Sequence, residues 1–328
     1  MNRIGLVVLL LTGIVMMGGC AAPQVKLFSD ASDPLKESTL QGTEKGKVLV
    51  VSLQGVISTR PREGTLRTLP SMVQEVISQL RMAEKDEEIK CLLLKVDSPG
   101  GTATASDILY NEILAFKERT KAKIVVSMMD IAASGGYYVS LPADIIFAHP
   151  TTITGSIGVV FMRPNVTGLM DKIGFTMDVN KSGKNKDMGS PFRRPTADET
   201  QMLQDLTDGL ADRFLKLVEK HRGLEESALS AISTARVYLP AEAKALGLID
   251  NIGYLDDALA ESLKISGLPE KAKVVVYRRT LFPNDNLYNP LTTRSNIQTQ
   301  PLLDLGLQNT AAHLSPGFYY VWTPGLGL

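Results

Sequence analysis

The sequence predicts an α/β protein built on a largely parallel β-sheet. Short apolar runs rich in β-branched residues, KVLVVSLQGVI (47–57), IKCLLLKV (89–96) and KIVVSMM (123–129), are separated by amphipathic segments with helical spacing. Because these runs are continuous rather than alternating, each strand is predicted to be buried on both faces by packed helices. A chain of 328 residues that is 44% hydrophobic can supply the core that this arrangement needs.

The remaining elements continue the alternation of strands and helices. A long helix is predicted from Thr196, which is spaced from Glu199 as in a capping box and is followed by leucines at helical intervals. The other predicted helices are SMVQEVISQLRMAEKD (71–86), ASDILYNEILAFKERT (105–120), Pro240–Leu246 and Leu255–Leu263. The other predicted strands are DIIFAH (144–149), TMDVN (176–180) and KVVVY (273–277).

The N-terminal segment has the pattern of a lipoprotein signal peptide. MNRIGLVVLLLTGIVMMGGC has a basic start, an apolar run too short to span a bilayer, and small residues before Cys20. We expect cleavage before Cys20 and acylation of its thiol, which anchors the mature chain to a membrane on the extracytoplasmic side. An uncleaved N-terminal anchor is the alternative. Residues 21–46 are predicted to be a flexible tether, 47–280 the folded domain, and 281–328 an apolar, aromatic tail of unknown role.

Cysteine usage and charge narrow the possible functions. If Cys20 carries lipid, Cys91 has no disulfide partner and is interpreted as a small buried hydrophobic residue. Lys+Arg and Asp+Glu number 35 each, so no strong field favours nucleic acid as a partner. Without a disulfide, the fold is expected to owe its stability to the hydrophobic core.

Two glycine-rich turns follow neighbouring predicted strands, VDSPGGTATAS (96–106) and DIAASGGYYVS (130–140). Turns at the carboxyl ends of adjacent parallel strands lie close together, and ligands usually bind there. Ser134, crowded by small residues, is either part of a structural turn or a nucleophile on a strand-to-helix elbow. Backbone N–H groups of Gly101 and Gly135 are candidate donors to a developing oxyanion. Neither turn has the spacing of a known phosphate-binding loop.

A serine nucleophile needs a base to take its proton. Of the three histidines, His149 is the only one near the turns in sequence, whereas His221 ends the long helix and His313 lies in the tail. A lysine is the alternative base, provided that its setting keeps it neutral. The segment NKSGKNKDMGSPFRRP (180–195) contains Lys181, Lys184 and Lys186, and their spacing does not rank them.

Five motifs in order carry a family resemblance: DSPGG, AASGGYY, TGSIGV, SGKNKDMGSPFR and RVYLPAEAKALGLID. Together they resemble the bacterial signal peptide peptidase A (protease IV) family of serine–lysine peptidases in its short form. This resemblance implies that Ser134 is the nucleophile, Lys186 the general base and Ser156 the residue that orients the lysine. It also implies that Gly101 and Gly135 form the oxyanion hole and that no metal or organic cofactor takes part.

The resemblance further implies the ClpP/crotonase fold, a spiral of ββα units. It implies a ring- or dome-shaped homo-oligomer in which neighbouring subunits supply the serine and the lysine. Its expected substrates are remnant signal peptides and other apolar, unfolded peptides. The lipobox departs from the transmembrane helix common in the family. A crotonase-like acyl-thioester enzyme and a non-catalytic assembly lipoprotein are the alternative hypotheses.

Overall fold

The computed structural model describes residues 33–63, 68–293 and 317–326. The predicted signal peptide, Cys20 and His313 lie outside these ranges. The strands are β1 (Lys36–Gln41), β2 (Glu44–Gln54), β3 (Arg62–Glu63), β4 (Thr68–Leu69), β5 (Ile89–Ser98), β6 (Gly100–Thr102), β7 (Lys123–Ala133), β8 (Ile145–Ala148), β9 (Ile153–Gly155), β10 (Val160–Met162), β11 (Val237–Tyr238), β12 (Asn251–Ile252), β13 (Ala272–Arg278) and β14 (Gly317–Val321). The helices are α1 (Met72–Ala83), α2 (Ala103–Thr120), α3 (Gly135–Tyr138), α4 (Thr167–Ile173), α5 (Ala197–Arg222), α6 (Glu226–Ile232), α7 (Pro240–Ala245) and α8 (Leu255–Ile265).

The main sheet has the order β1-β13-β2-β5-β7-β8-β12, and β9 adds to it by pairing with β7 and β11. All pairings are parallel except those of β1 with β13 and of β9 with β11. The long central strands β2, β5 and β7 are the three apolar runs from which the sheet was predicted. Two smaller sheets are antiparallel: β10-β14-β6 and the β3-β4 hairpin.

Both faces of the main sheet are buried, as the continuous apolar runs predict. Along β2, Leu49 and Val51 pack into one core with residues of α1, α2 and α5, whereas Val48 and Val50 pack into a second core with α8. Cys91 belongs to the second core, has no exposed surface, and is an unpaired thiol. Burial raises the pKa of this thiol to about 12, so it behaves as the expected small hydrophobic residue.

Local sequence signals set the helix ends. The Ser71 hydroxyl accepts a hydrogen bond from the Gln74 N–H at the start of α1. At the start of α5, Thr196 and Glu199 form the predicted capping box. Gly223 ends α5 in the left-handed region, with φ 59°. No helix within the described ranges combines the length and apolar character that a membrane crossing requires.

The ordered domain begins earlier than the sequence predicted. Within the segment expected to be a tether, β1 pairs antiparallel with β13 along an edge of the sheet. Lys47 fixes this edge, because its buried ammonium donates to Glu37 (3.0 Å) and Asp86 (2.7 Å). Burial opposes the charge on Lys47, but these hydrogen bonds outweigh it and raise the pKa of its ammonium. The prediction that residues 21–46 form a flexible tether is therefore wrong for the part that forms β1.

The segment TMDVN (176–180) was predicted as a strand and is not one. All five residues are exposed irregular chain, with the side chain of Met177 44% and that of Val179 51% exposed. A segment with alternating apolar residues forms a strand only where a neighbouring strand can pair with it. This segment pairs with no strand in the described part of the chain.

Candidate active site

Ser134 lies on a strained elbow between β7 and α3. Its backbone has φ 53° and ψ −114°, a conformation that L-residues rarely adopt. The Ser134 N–H donates to the Gly155 carbonyl (2.7 Å), and the Ser134 carbonyl accepts from Tyr138 N–H (2.9 Å). The side chain does not cap the helix. The geometry is that of an elbow that presents a hydroxyl.

The Ser134 hydroxyl is buried and has no hydrogen-bond partner among the described residues. The residue as a whole is only 1% exposed. Buried polar atoms in native structures nearly always have a partner, so an orphaned hydroxyl needs an explanation. A nucleophile that meets its base only when the active site is complete provides one.

The glycines around Ser134 allow separate backbone segments to meet. A Cβ on Gly100 would lie 2.6 Å from the Gly135 nitrogen, so the two glycine-rich turns abut as predicted. A Cβ on Gly136 would lie 2.4 Å from the Ser98 carbonyl oxygen. A Cβ on Gly101 would lie 1.9 Å from the Ile57 carbonyl oxygen. Small residues crowd the hydroxyl because side chains have no room there.

Ser156 lies beside the elbow. Ala133 at the end of β7 is paired with Gly155 at the end of β9, and Ser134 and Ser156 are the next residues of each strand. Ser156 also has a positive φ, 52°, and its N–H donates to the Arg236 carbonyl (2.8 Å). The structure therefore brings together Ser134, Ser156 and the two glycine-rich turns.

Lys186 is exposed and does not reach Ser134, whose hydroxyl has no partner in the described chain. The structure nevertheless separates the three candidate lysines. Lys181 forms an ion pair with Asp187 (2.7 Å), and Lys184 with Asp198 (2.9 Å). The Lys186 ammonium has no ion pair or hydrogen bond with any residue in the described ranges. Of the three, it is the one left available for a group on another molecule.

An arginine fixes the segment that carries Lys186. Arg193 donates to Asp187 (2.8 Å from Nε to Oδ2) and to Glu199 (2.8 Å from Nη1 to Oε2). Hydrogen bonds from Arg193 and Lys181 hold the pKa of Asp187 well below its usual range. Hydrogen bonds from Arg193 and from the Thr196 N–H lower the pKa of Glu199 to about 2. Asp187, next to Lys186, is thereby tied to the start of α5.

The hydrogen bonds of Arg193 with Asp187 and Glu199 predict that the protein loses stability in acid. Because the native pKa of Glu199 is about 2 against an ordinary 4.5, its contribution to stability is complete above about pH 4.5 and is lost as pH falls toward 2. We expect Glu199→Gln to have a lower Tm than the parent chain at about pH 6 and a smaller further fall at about pH 3. Glu225→Gln, at an exposed glutamate, is the control. Parallel Tm–pH curves for parent and Glu199→Gln would contradict the assignment.

Neither described histidine forms a dyad with the serine. His149 Nδ1 is 2.8 Å from the Thr151 hydroxyl, and its ring packs edge-on against Tyr254. His221 Nε2 is 2.8 Å from the Tyr110 hydroxyl, and burial lowers the pKa of its imidazole. No group of three or more His, Cys, Asp or Glu side chains in the described ranges is arranged to hold a metal ion.

The C-terminal tail reaches the site, which the sequence did not predict. Within β14, Tyr320 pairs with Gly101 of β6. Just beyond it, the Trp322 N–H donates to the Pro99 carbonyl (2.8 Å). The apolar, aromatic composition indicated a docked segment without indicating where it docks.

Comparison with protein-family models gives two matches. The model of peptidase family S49 matches residues 116–268, and the Clp protease model matches residues 68–152. The first match contains Ser134, Ser156 and Lys186, and the second contains both glycine-rich turns. The Clp protease match and the observed layers of sheet and helix confirm the predicted α/β, ClpP-like fold.

Several known proteins are similar in sequence or structure. The putative signal peptide peptidase SppA of Enterococcus faecium is 34% identical over 253 residues, which cover 77% of this chain and 73% of that protein. Protease 4 of Haemophilus influenzae is 32% identical over 286 residues, 85% of this chain and 45% of that protein. Among solved structures, a ClpP1 mutant from Listeria monocytogenes has a TM-score of 0.42 at 17% identity, covering 64% of this chain and 94% of that one.

Proposed function

This chain belongs to peptidase family S49, the signal peptide peptidase A family, and is a serine peptidase; from that premise we propose that Ser134 and Lys186 form its catalytic dyad. The observation that carries the proposal is the buried, unpartnered Ser134 hydroxyl on a strained elbow. Strain of this kind is concentrated at functional sites. The availability of the Lys186 ammonium, against the paired Lys181 and Lys184, supports the choice of base.

The proposed chemistry is acyl transfer in two steps. Ser134 Oγ attacks the scissile carbonyl carbon while the neutral amine of Lys186 takes the hydroxyl proton. Backbone N–H groups of Gly101 and Gly135 stabilise the oxyanion, and Ser156 orients the lysine. When the tetrahedral intermediate collapses, the C–N bond breaks and Lys186 returns the proton to the leaving amine. Lys186 then takes a proton from a water molecule as its oxygen attacks the acyl carbon. The bond from that carbon to Ser134 Oγ breaks, and Lys186 returns the proton to Oγ.

We propose that a second copy of the chain completes each active site. Lys186 lies in an exposed stretch of chain that is unusually apolar. Six side chains between residues 169 and 192 are 39% to 66% exposed: Leu169, Ile173, Phe175, Met177, Val179 and Phe192. Large apolar side chains exposed together along one segment of chain indicate an interaction site. Packing it against a neighbouring subunit would cover these side chains and bring Lys186 toward that subunit's orphaned serine.

We also propose that the enzyme works outside the cytoplasm, anchored by lipid on Cys20. Its proposed substrates are remnant signal peptides and other apolar, unfolded peptides. The signal-peptide pattern of residues 1–20 supports the location, and the name of the Enterococcus faecium relative supports the substrate class.

Labelling with a fluorophosphonate tests the nucleophile. In the chain lacking residues 1–20, we expect a stoichiometric adduct on Ser134 and none in Ser134→Ala. Ser182→Ala, at an exposed serine near Lys186, should label like the parent chain. Assembled oligomers that neither label nor cleave peptides would favour a non-catalytic assembly protein. Thioester turnover without labelling would favour an acyl-thioester enzyme.

A further inference from the structure

A basic cavity lies at the end of the sheet opposite to Ser134. It has a volume of about 650 Å³ and is formed where α2 ends, β7 begins and α5 ends. β7 runs from Lys123 at this cavity to Ala133, directly before Ser134, which is about 30 Å at about 3.3 Å per residue. The cavity is therefore separate from the proposed active site. Six of the residues that line it have ionisable carboxylate or ammonium groups: Lys117, Glu118, Lys121, Lys123, Asp144 and Lys220.

The lining of the cavity carries an excess of positive charge. It has four lysines and two carboxylates, although Lys+Arg and Asp+Glu balance at 35 each over the whole chain. Cations are favoured near the C-terminus of a helix, which carries about half a negative charge. This preference accounts for one lysine at the end of α2 and one at the end of α5. The two helix ends together offset only about one positive charge, so the cavity stays positive.

Most of the lysines in the cavity have no partner in the described chain. Lys117 is the exception, because its ammonium pairs with Asp144 (3.0 Å) and donates to the Pro142 carbonyl (2.9 Å). The other three are exposed, and their ammonium groups have no ion pair or hydrogen bond with any residue in the described ranges: Lys121, Lys123 and Lys220. These three groups come from the end of α2, the start of β7 and the end of α5, and they converge on one cavity.

His221 lies in the positive field of this cavity. It lines the cavity, and its Nε2 is 2.8 Å from the Tyr110 hydroxyl. Burial lowers the pKa of its imidazole, and the positive charges of Lys220, Lys117 and Arg222 lower it further. A bound anion would offset these charges and raise the pKa of His221. The imidazole can therefore report whether the cavity is occupied.

We propose that this cavity binds a phosphate group, carried either by the headgroup of an anionic phospholipid or by a free phosphate ester. Lysine binds phosphate as a point charge, and ammonium groups from several segments can surround a tetrahedral anion. The volume leaves room for the group to which the phosphate is esterified. The proposal involves no residue of the proposed active site, so it does not depend on the peptidase activity.

One double variant and one matched control test the site in the chain lacking residues 1–20. Lys123→Gln/Lys220→Gln removes two of the unpartnered ammonium groups. Lys216→Gln/Lys264→Gln removes two lysines outside the cavity, which are 70% and 75% exposed and pair with carboxylates on their own helices. Because the two double variants lose the same number of lysines, a difference between them measures the cavity rather than the net charge of the protein.

Titration with inorganic phosphate, followed by NMR of the histidine rings at a fixed pH of about 6, measures occupancy. We expect the His221 signal to move toward its protonated position and to saturate, while the signal of His149 stays in place. Lys123→Gln/Lys220→Gln should weaken phosphate binding at least about tenfold, because hydrogen bonds to charged groups are among the stronger ones. The control should bind phosphate as the parent chain does.

Vesicles distinguish the two sources of the phosphate group. Co-sedimentation compares phosphatidylglycerol vesicles, which are anionic, with phosphatidylcholine vesicles, which are neutral overall. Retention by phosphatidylglycerol that Lys123→Gln/Lys220→Gln lowers at least about tenfold would support the site and assign a lipid headgroup. Saturable phosphate binding without retention would support the site and assign a soluble ester. Binding of neither probe, equal retention by both kinds of vesicle, or equal binding by the two double variants would overturn the proposal.

Discussion

Lys186→Ala is expected to lower kcat/KM for an apolar peptide by about 10³-fold, because a general base typically contributes about 10²- to 10⁴-fold to proton transfer. The matched control is Lys184→Ala. That lysine is two residues away, and its side chain is 70% exposed and paired only with Asp198 on the surface. The control removes a lysine side chain from the same segment and should keep nearly full activity. The measurement is steady-state hydrolysis by variants of equal oligomeric state.

Mixing Ser134→Ala chains with Lys186→Ala chains tests whether the serine and the lysine of one active site come from different subunits. If neighbouring subunits supply the serine and the lysine, oligomers assembled from equal amounts of Ser134→Ala and Lys186→Ala chains contain some sites with both groups. Random assembly predicts recovery of about one quarter of the parent activity. No recovery in oligomers shown by mass to be mixed would mean that one chain supplies both residues. Equal loss in Lys184→Ala and Lys186→Ala would remove Lys186 from the mechanism.

Gly101→Ala is expected to lower kcat by about 10²- to 10³-fold, the usual cost of losing one oxyanion donor. The added methyl group would lie 1.9 Å from the Ile57 carbonyl oxygen, which is backbone and cannot rotate away. The turn must therefore shift, and its N–H group moves with it. Gly168→Ala, at an exposed glycine with open space around it, is the control.

The comparison of kcat with KM decides what the Gly101 substitution does. A loss confined to kcat, with an unchanged Tm, indicates a displaced donor. A matching fall in Tm indicates that the turn has become unstable, in which case the oxyanion role is untested by this variant and Gly135 becomes the residue to replace. Parent-like kcat in a folded Gly101→Ala chain would contradict the assigned donor.

Local patterns predicted the parts of the fold that local forces determine. The continuous apolar runs of β2, β5 and β7 identified the buried parallel sheet. The glycines around Ser134 indicated a crowded turn, with a structural turn and an elbow as the two alternatives. The capping box marked the start of α5. Each of these signals is contained within a few consecutive residues, so the sequence alone reveals it.

The features that the sequence missed depend on distant partners. The polar strand β1 is ordered because β13 and Lys47 lie beside it, and TMDVN is not a strand because no neighbour pairs with it in the described chain. Three similar lysines are distinguished only by which carboxylates they meet. The position of β14 depends on segments more than 150 residues earlier in the chain.

The β10-β14-β6 sheet also has a consequence for folding. Its strands come from residues near 100, 160 and 320, so its pairings have among the largest sequence separations in the molecule. Contacts of such long range form slowly, because the closure entropy of the intervening chain must be overcome first. During synthesis, the last strand emerges only after the rest of the domain has been made. The edges of β6 and β10 that pair with β14 therefore stay unpaired until β14 has been synthesised, which makes them the last part of the described structure to be closed.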